Sequence, residues 1–242
     1  MNKYHERTYR KRVMAEDIVF FHVGVKQTDL WVGAEKNLES ETRDAIMNYR
    51  RQLEDYIHLH PAFLTTLEPL ALDPYAPPIA AKMIQETQAL SVGPMASVAG
   101  AIAQFVAVDL LRWTDQVIVE NGGDIFIKVN RPAKVSIFAG TSPFSDKIGL
   151  RIGPESMPVG ICTSSGTIGH SLSHGKADAV CIVSPSAVLA DGAATALCNR
   201  IRGSGDLGKI SQWAEEIQGL FGGVAILKDH MASWGKIELI PL

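Results

Sequence analysis

The sequence predicts an α+β fold, and three observations carry that reading. β-branched runs are grouped in the second half of the chain instead of alternating with helices. Helical composition dominates the first half, after one opening pair of strand-like runs. The glycine fingerprint of a dinucleotide-binding βαβ unit is also out of context. Gly203, Gly205 and Gly208 in GSGDLG match its spacing, but they follow a helical stretch and read as a loop and helix start.

The elements follow in order. DIVFFHVGVKQTDLWVGAE gives two strands around a polar turn at Lys26–Asp29. In ESETRDAIMNYRRQLEDYI, Ile46, Tyr49, Leu53 and Ile57 fall close to a helical spacing. Pro61, Pro69, Pro74, Pro77 and Pro78 then break the chain into short pieces. A second helix is expected over Ile79–Ala89 and a third, very apolar one over Met95–Trp113. No charge occurs from Thr87 to Val108, about the length that crosses a bilayer. Gln88, Ser91, Pro94, Ser97 and Gln104 interrupt it, and Gly93-Pro94 marks a turn, so a core helix of small residues is expected. QVIVENGGDIFIKV, KVSIFAG, KIGLRI, PVGICTSS and DAVCIVSP read as strands. Helices over Ser186–Arg202 and near Ile210–Leu220 follow, and GVAILKDHMASWGKIELIPL reads as a closing hairpin.

Composition bounds the function. Hydrophobic content of 46% and charged content of 20% describe a folded globular chain of 242 residues, long enough for a substantial core. A formal net charge of −3 gives no footprint for nucleic acid or an anionic membrane. The cluster Arg7, Arg10, Lys11 and Arg12 reads as a solvated end. The polar start MNKYHERTYRKR has no apolar core of a secretory signal. With an odd number of cysteines, three, this predicts reduced thiols and a cytoplasmic location.

Three stretches compete for the chemistry. VLADGAATAL, Val188 to Leu197, places Asp191 among small apolar residues with Thr195 four positions on. In a helix that spacing puts a carboxylate and a hydroxyl on one face, hard oxygens suited to Mg2+ or Ca2+. An N-cap aspartate with a back-bonding threonine explains the same residues without a ligand. ENGGDIF carries the hairpin signal Asn121-Gly122, and the further Gly123 and Asp124 could bring backbone amides close to an anion. GICTSSGTIGHSLSHGKAD gathers hydroxyls and glycines at a strand end, suited to an anionic or polyhydroxylated ligand, although a serine-rich surface turn would look the same. His170 and His174 are four apart, but Gly169 and Gly175 argue against a helical metal pair. Cys162, just before the hydroxyl-rich turn, is either a thiolate facing the loop amides or a small core residue.

The order of the segments GAIAQFVAVDLL, VIVENGGDIFI, GICTSSG and SPSAVLADGAATAL resembles the ApbE superfamily of FAD-dependent protein flavin transferases. The resemblance runs from Gly100 to Cys198. It implies one ApbE-like unit over residues 1–242, in which residues 1–99 are a divergent N-terminal part and 100–242 bear the motifs. It implies magnesium ligands at Asp191 and Thr195, with a carbonyl near Ala190 as helper. Asn121, Gly122, Gly123 and Asp124 match the nucleotide-contacting hairpin. Thr163, Ser164, Ser165 and Gly166 fall near the flavin-contacting turn, and Asp109 matches the aspartate ending the earlier helix.

The departures from the family pattern bear on activity. Gln104 and Phe105 stand where the family has lysine and glycine, and the family's histidine with IIDPxTG is replaced by the shorter GHSLSHGKADAVCIVSP. The lipoprotein signal is missing. These losses favour a module holding FAD, a related nucleotide or another small anion with Mg2+, its transferase activity reduced or lost. The competing readings are a Mg2+-dependent flavin or nucleotidyl transferase, with His170 or His174 as base for an acceptor, and thiol or sulfur-transfer chemistry at Cys162. A partner enzyme, an acceptor protein and a homo-oligomer are compatible with this resemblance.

Overall fold

A computed structural model describes residues 17–167 and 175–242. The chain opens with a hairpin of β1 (Val19–Val25) and β2 (Thr28–Ala34). Val25 pairs with Thr28, which leaves only Lys26 and Gln27 in the turn. Lys26 takes the left-handed conformation there, with φ 52°. The turn is therefore tighter than the polar run Lys26–Asp29 implied. The helical layer follows as α1 (Glu39–Leu59), the short α2 (Ala62–Thr65), α3 (Pro78–Gln88) and α4 (Val98–Leu110). The stretch expected to start α4 at Met95 is instead a 3-10 turn, Pro94–Ser97, in which proline occupies the first position.

Next come β3 (Val117–Asn121), β4 (Asp124–Lys128), β5 (Ala133–Ser136), β6 (Ile148–Ile152), β7 (Val159–Ser164) and β8 (Ala179–Ser184). They are followed by α5 (Ala187–Arg200), α6 (Ile210–Glu215), β9 (Gly222–Leu227), β10 (His230–Gly235) and β11 (Glu238–Pro241). GSGDLG forms a 3-10 turn, with the Asp206 carboxylate accepting from the amides of Arg202 (3.0 Å) and Gly203 (3.2 Å). It is a helix start, as its context implied.

The strands form an eight-stranded sheet in the order β1-β2-β3-β4-β7-β8-β9-β10 and a three-stranded sheet β11-β6-β5. All pairings are antiparallel. Side chains alternate across the large sheet, so each strand feeds two cores. Val119, Phe126, Cys162 and Ile182 pack with Ile46, Met83, Val106, Val188 and Leu197 of the helices. Ile118, Ile127, Ile161 and Val183 pack with Val135, Leu150 and Ile152 of the small sheet. Burial on both faces explains why β3, β7 and β8 read as nearly continuous apolar runs. The architecture is α+β, with helices grouped on one face.

The closing hairpin is corrected. β9 and β10 pair as expected, but β11 leaves them and pairs with β6, with Leu239 opposite Leu150. Gly235 makes the departure at φ 74°, a conformation open to glycine. Among the described residues, no helix is long and apolar enough to cross a membrane.

α5 lies so close to β7 that a Cβ on Gly160 would come within 2.3 Å of the Ala187 Cα. Gly160→Ala is therefore expected to push α5 off the sheet and to destabilise the fold by about 1–3 kcal/mol, read by urea unfolding. Gly205→Ala, which meets open space, is expected to stay within about 0.5 kcal/mol of the parent.

Candidate functional site

Helix α5 is buried from Ala187 to Cys198. Its own start is capped by Ser186, whose hydroxyl accepts from the Leu189 amide at 3.2 Å. Asp191 is thus free of that duty and serves another helix. Its Oδ2 accepts the Gly100 amide at 2.8 Å, and the Ala99 amide also bonds the carboxylate. Those amides lie in the first turn of α4, which has no intrahelical acceptors for them and carries the positive end of the helix dipole. Gln104 of α4 returns the contact. Its Oε1 accepts the Ala187 amide of α5 at 2.7 Å and lies 3.4 Å from the Val188 amide. Each helix is therefore capped by a side chain of the other. Gly100 permits the approach, because a Cβ there would sit 2.3 Å from the Ala187 carbonyl oxygen and 2.8 Å from the Asp191 Cβ.

The β3–β4 hairpin closes on the same point. Asn121 pairs with Asp124, so Gly122 and Gly123 form a two-residue turn. Positive φ occurs at Gly122 (72°) and not at Gly123, the type II′ pattern. Asn121 ends the strand instead of centring the turn, and its Nδ2 donates to the Ala99 carbonyl at 3.1 Å. Asp124 stands opposite Cys162 in register, on the helix-facing side of the sheet. The Cys162 side chain and the Thr163 amide bond the Asp124 carboxylate, whose Oδ1 is buried without a partner. Ser164 follows Cys162 on that face, and its buried hydroxyl also has no partner. Thr195, one turn beyond Asp191, is buried as well.

Electrostatics bind the group together. Burial first, and then the neighbouring Asp191 charge, push Asp124 well above the usual carboxylate range. Burial pushes Asp191 up to about 7, against the opposing pull of the Gly100 and Ala99 amides. Cys162 is held protonated by burial and by both carboxylates, and its Sγ lies 3.4 Å from the Ala187 carbonyl. A reactive cysteine needs a lowered pKa and access, whereas Cys162 is fully buried.

The expected residues divide accordingly. Asn121 and Asp191 bond the Ala99–Gly100 turn that starts α4, and the Asp191 charge acts on Asp124; Ser164 lies two residues beyond Cys162 on β7 and Thr195 one turn beyond Asp191 on α5. Ala190 is fully buried in α5, and its amide donates to the Ser186 carbonyl at 2.9 Å. Gly122 and Gly123 form the hairpin turn, and Ser165 and Gly166 follow the end of β7, Gly166 donating its amide to the Ala177 carbonyl at 2.9 Å. The Thr163 amide donates to the Gly123 carbonyl at 3.1 Å, and the Thr167 amide donates to the Ser165 hydroxyl at 3.1 Å. The Thr163 side chain turns to the opposite face and bonds Cys181, as strand alternation requires. Asp109 lies about 13 Å along α4 from Gly100, at a rise of about 1.5 Å per residue. There it accepts the Tyr49 hydroxyl at 2.8 Å and pairs with Arg112 at 3.1 Å, so it stands apart from the cluster. His170 and His174 lie outside the described residues. Among the described residues, no three His, Cys, Asp or Glu side chains meet as a metal centre. A cation here would instead take two carboxylates together with hydroxyls. Sequence reasoning missed Gly100 and the capping role of Gln104, because neither partner is near in sequence.

The eight-stranded antiparallel sheet, covered by helices on one face, is an ApbE-type fold. Solved ApbE structures share the fold. The apo flavinyl transferase ApbE of Pseudomonas stutzeri matches with TM-score 0.59 at 13% identity, over 90% of this chain and 93% of that one. Flavin transferase ApbE from Vibrio cholerae matches with TM-score 0.55 at 15% identity, over 90% and 96%. The chain belongs to the family described as AbpE bacteria, whose model matches residues 10–218. Its relatives include the UPF0280 protein of Methanocaldococcus jannaschii, 37% identical over 89% of this chain and 91% of that protein. The UPF0280 protein of Methanothrix thermoacetophila is 39% identical over 82% and 84%.

The raised carboxylates give a pH signature. Folded Asp191 and Asp124 hold protons that the unfolded chain releases above its ordinary carboxylate value near pH 4. The contribution of these two groups to stability in chelator is therefore fullest at low pH and falls as pH rises from about 4 towards 7, against the opposite trend of carboxylates held low such as Asp73 and Asp206. The slope approaches about 1.4 kcal/mol per pH unit for each such proton. Urea unfolding across that range checks it, and Asp191→Asn should flatten the profile.

Proposed function

We propose that this chain, as one ApbE-like unit, holds a divalent cation and a flavin- or nucleotide-like anion at the sheet end, with protein flavin transfer weak or lost. One observation carries the reading: the Asp191 carboxylate is buried beside a second carboxylate, with the Thr195 hydroxyl one turn away. Two adjacent buried carboxylates without a countercharge are unfavourable, and the oxygen donors fit a hard cation. Asp191 and Thr195 would hold it, and the bound cation would neutralise phosphate charge. The turns Asn121–Asp124 and Thr163–Gly166 would supply backbone and hydroxyl contacts to the anion.

Three features argue for weak turnover. Gln104 is an uncharged cap, so no cation reaches an anion from that position. The first-turn amides at Ala99, Gly100 and Ala187, which could otherwise bind phosphate, are occupied by side chains. Cys162 is protonated and bonded inward, unsuited to act as a nucleophile. Free buried cysteines fit a reducing, cytoplasmic setting. The name flavinyl transferase, carried by the Pseudomonas stutzeri protein, makes an acceptor protein or partner enzyme part of this reading.

Calorimetry with FAD, FMN and ATP, with and without Mg2+, checks the reading. Binding is expected to require Mg2+ and to fall at least tenfold in Asp191→Ala, equivalent to about 1.4 kcal/mol. A parallel assay should find little covalent flavin on an acceptor protein. Efficient Mg2+-dependent flavinylation would overturn the weak-turnover reading, and no binding of any of these ligands would overturn the pocket.

A further inference from the structure

Resting on the cation reading above, we propose that Asp124 and Ser164 complete a two-carboxylate, two-hydroxyl cation site with Asp191 and Thr195, and that the cation enters before any anion. The resemblance places Asp124 in a nucleotide-contacting hairpin. Its side chain adds a contact of a different kind. Asp124 is the first residue of β4, inward of the exposed Gly123, and its side chain faces the helices in register with Cys162.

Two buried polar atoms there lack partners. Asp124 Oδ1 and Ser164 Oγ accept nothing, although their residues are only 8% and 6% exposed. A buried acceptor left unmade costs free energy, so two on one sheet face are a pair waiting for a donor or a cation. Asp124 and Ser164 are diagonal neighbours across β4 and β7, since Asp124 pairs with Cys162 and Ser164 lies two residues on. Such neighbours lie about 7–8 Å apart at Cα, a span that one ion between their side chains can bridge. Asp191 approaches from α5 above, near enough for its charge to act on Asp124.

The donor chemistry selects the ion. Carboxylate and hydroxyl oxygens suit Mg2+, Mn2+ or Ca2+, whereas a soft metal would need a thiolate. Cys162, the thiol beside the site, is held as a thiol and bonded to the Ala187 carbonyl. Charge balance sets the order of binding. Two carboxylates neutralise a divalent ion by themselves, so the cation needs no phosphate to hold it. A one-carboxylate site would leave the ion dependent on the anion.

The test is calorimetry of Mg2+ and Mn2+ into chelator-treated full-length protein without nucleotide. Wild type is expected to bind; Asp124→Asn and Asp191→Asn should each weaken binding at least tenfold, and Ser164→Ala several-fold. Unchanged affinity in Asp124→Asn alongside loss in Asp191→Asn overturns this proposal and leaves the cation reading intact. Binding by wild type only when ATP or FAD is present does the same. Absence of cation binding under all conditions overturns both. Should Asp124→Asn not fold, Ser164→Ala decides, since it deletes only a partnerless hydroxyl: unchanged affinity there overturns the proposal.

Discussion

The mutual capping of α4 and α5 holds the candidate site in place. Asp191 caps the start of α4 and Gln104 adds to the Ser186 cap of α5, so neither helix can shift along the other without breaking both contacts. A side-chain cap contributes about 1 kcal/mol, and a charged acceptor about 1.5–3 kcal/mol. The geometry imposes small residues wherever the backbones touch. Gly100 sits against the Ala187 carbonyl, Gly160 against the Ala187 Cα, and Gly192 against Leu90 and Thr87. The texture of VLADGAATAL is therefore set by packing, and the carboxylate within it by the amides it ends. Asn121 ties the hairpin to the same turn through the Ala99 carbonyl.

The layers of the fold were legible because strand alternation and helical spacing are local signals. The strands β3, β7 and β8 and the helices α1 and α3 fall where their patterns place them. The exit of β11 to a second sheet was not legible, because nothing in Glu238–Pro241 names β6 as its partner. Asp191 and Thr195 were readable from spacing and motif order. What Asp191 does was only half readable, since its hydrogen-bond partner is 91 residues away. Gln104 was half readable in the same way. Seen in sequence it is a lost cation; in the fold it is an acceptor 83 residues from the amide it caps, a role that lysine, with no acceptor, could not fill. The facing of Thr163 was not legible from the motif, since one step along β7 turns its side chain to the other core.

Sharing a fold at 13–15% identity with flavin transferases leaves the chemistry to the site. At the candidate site the first-turn amides of both helices are already taken by side chains.

The pairing of β2 with β3 has a consequence for how the chain folds. Leu30 stands opposite Asn121, so the helices α1 to α4 lie inside one long loop closed by two neighbouring strands. Closing such a loop costs entropy before any ladder hydrogen bond repays it, and non-local pairings of this kind slow folding. The cost grows only with the logarithm of loop length, each doubling adding about 0.6 kcal/mol. The proline-broken segment between α2 and α3 can therefore lengthen or shorten at little expense to the sheet. The helical layer is the part of this architecture most open to evolutionary change in length.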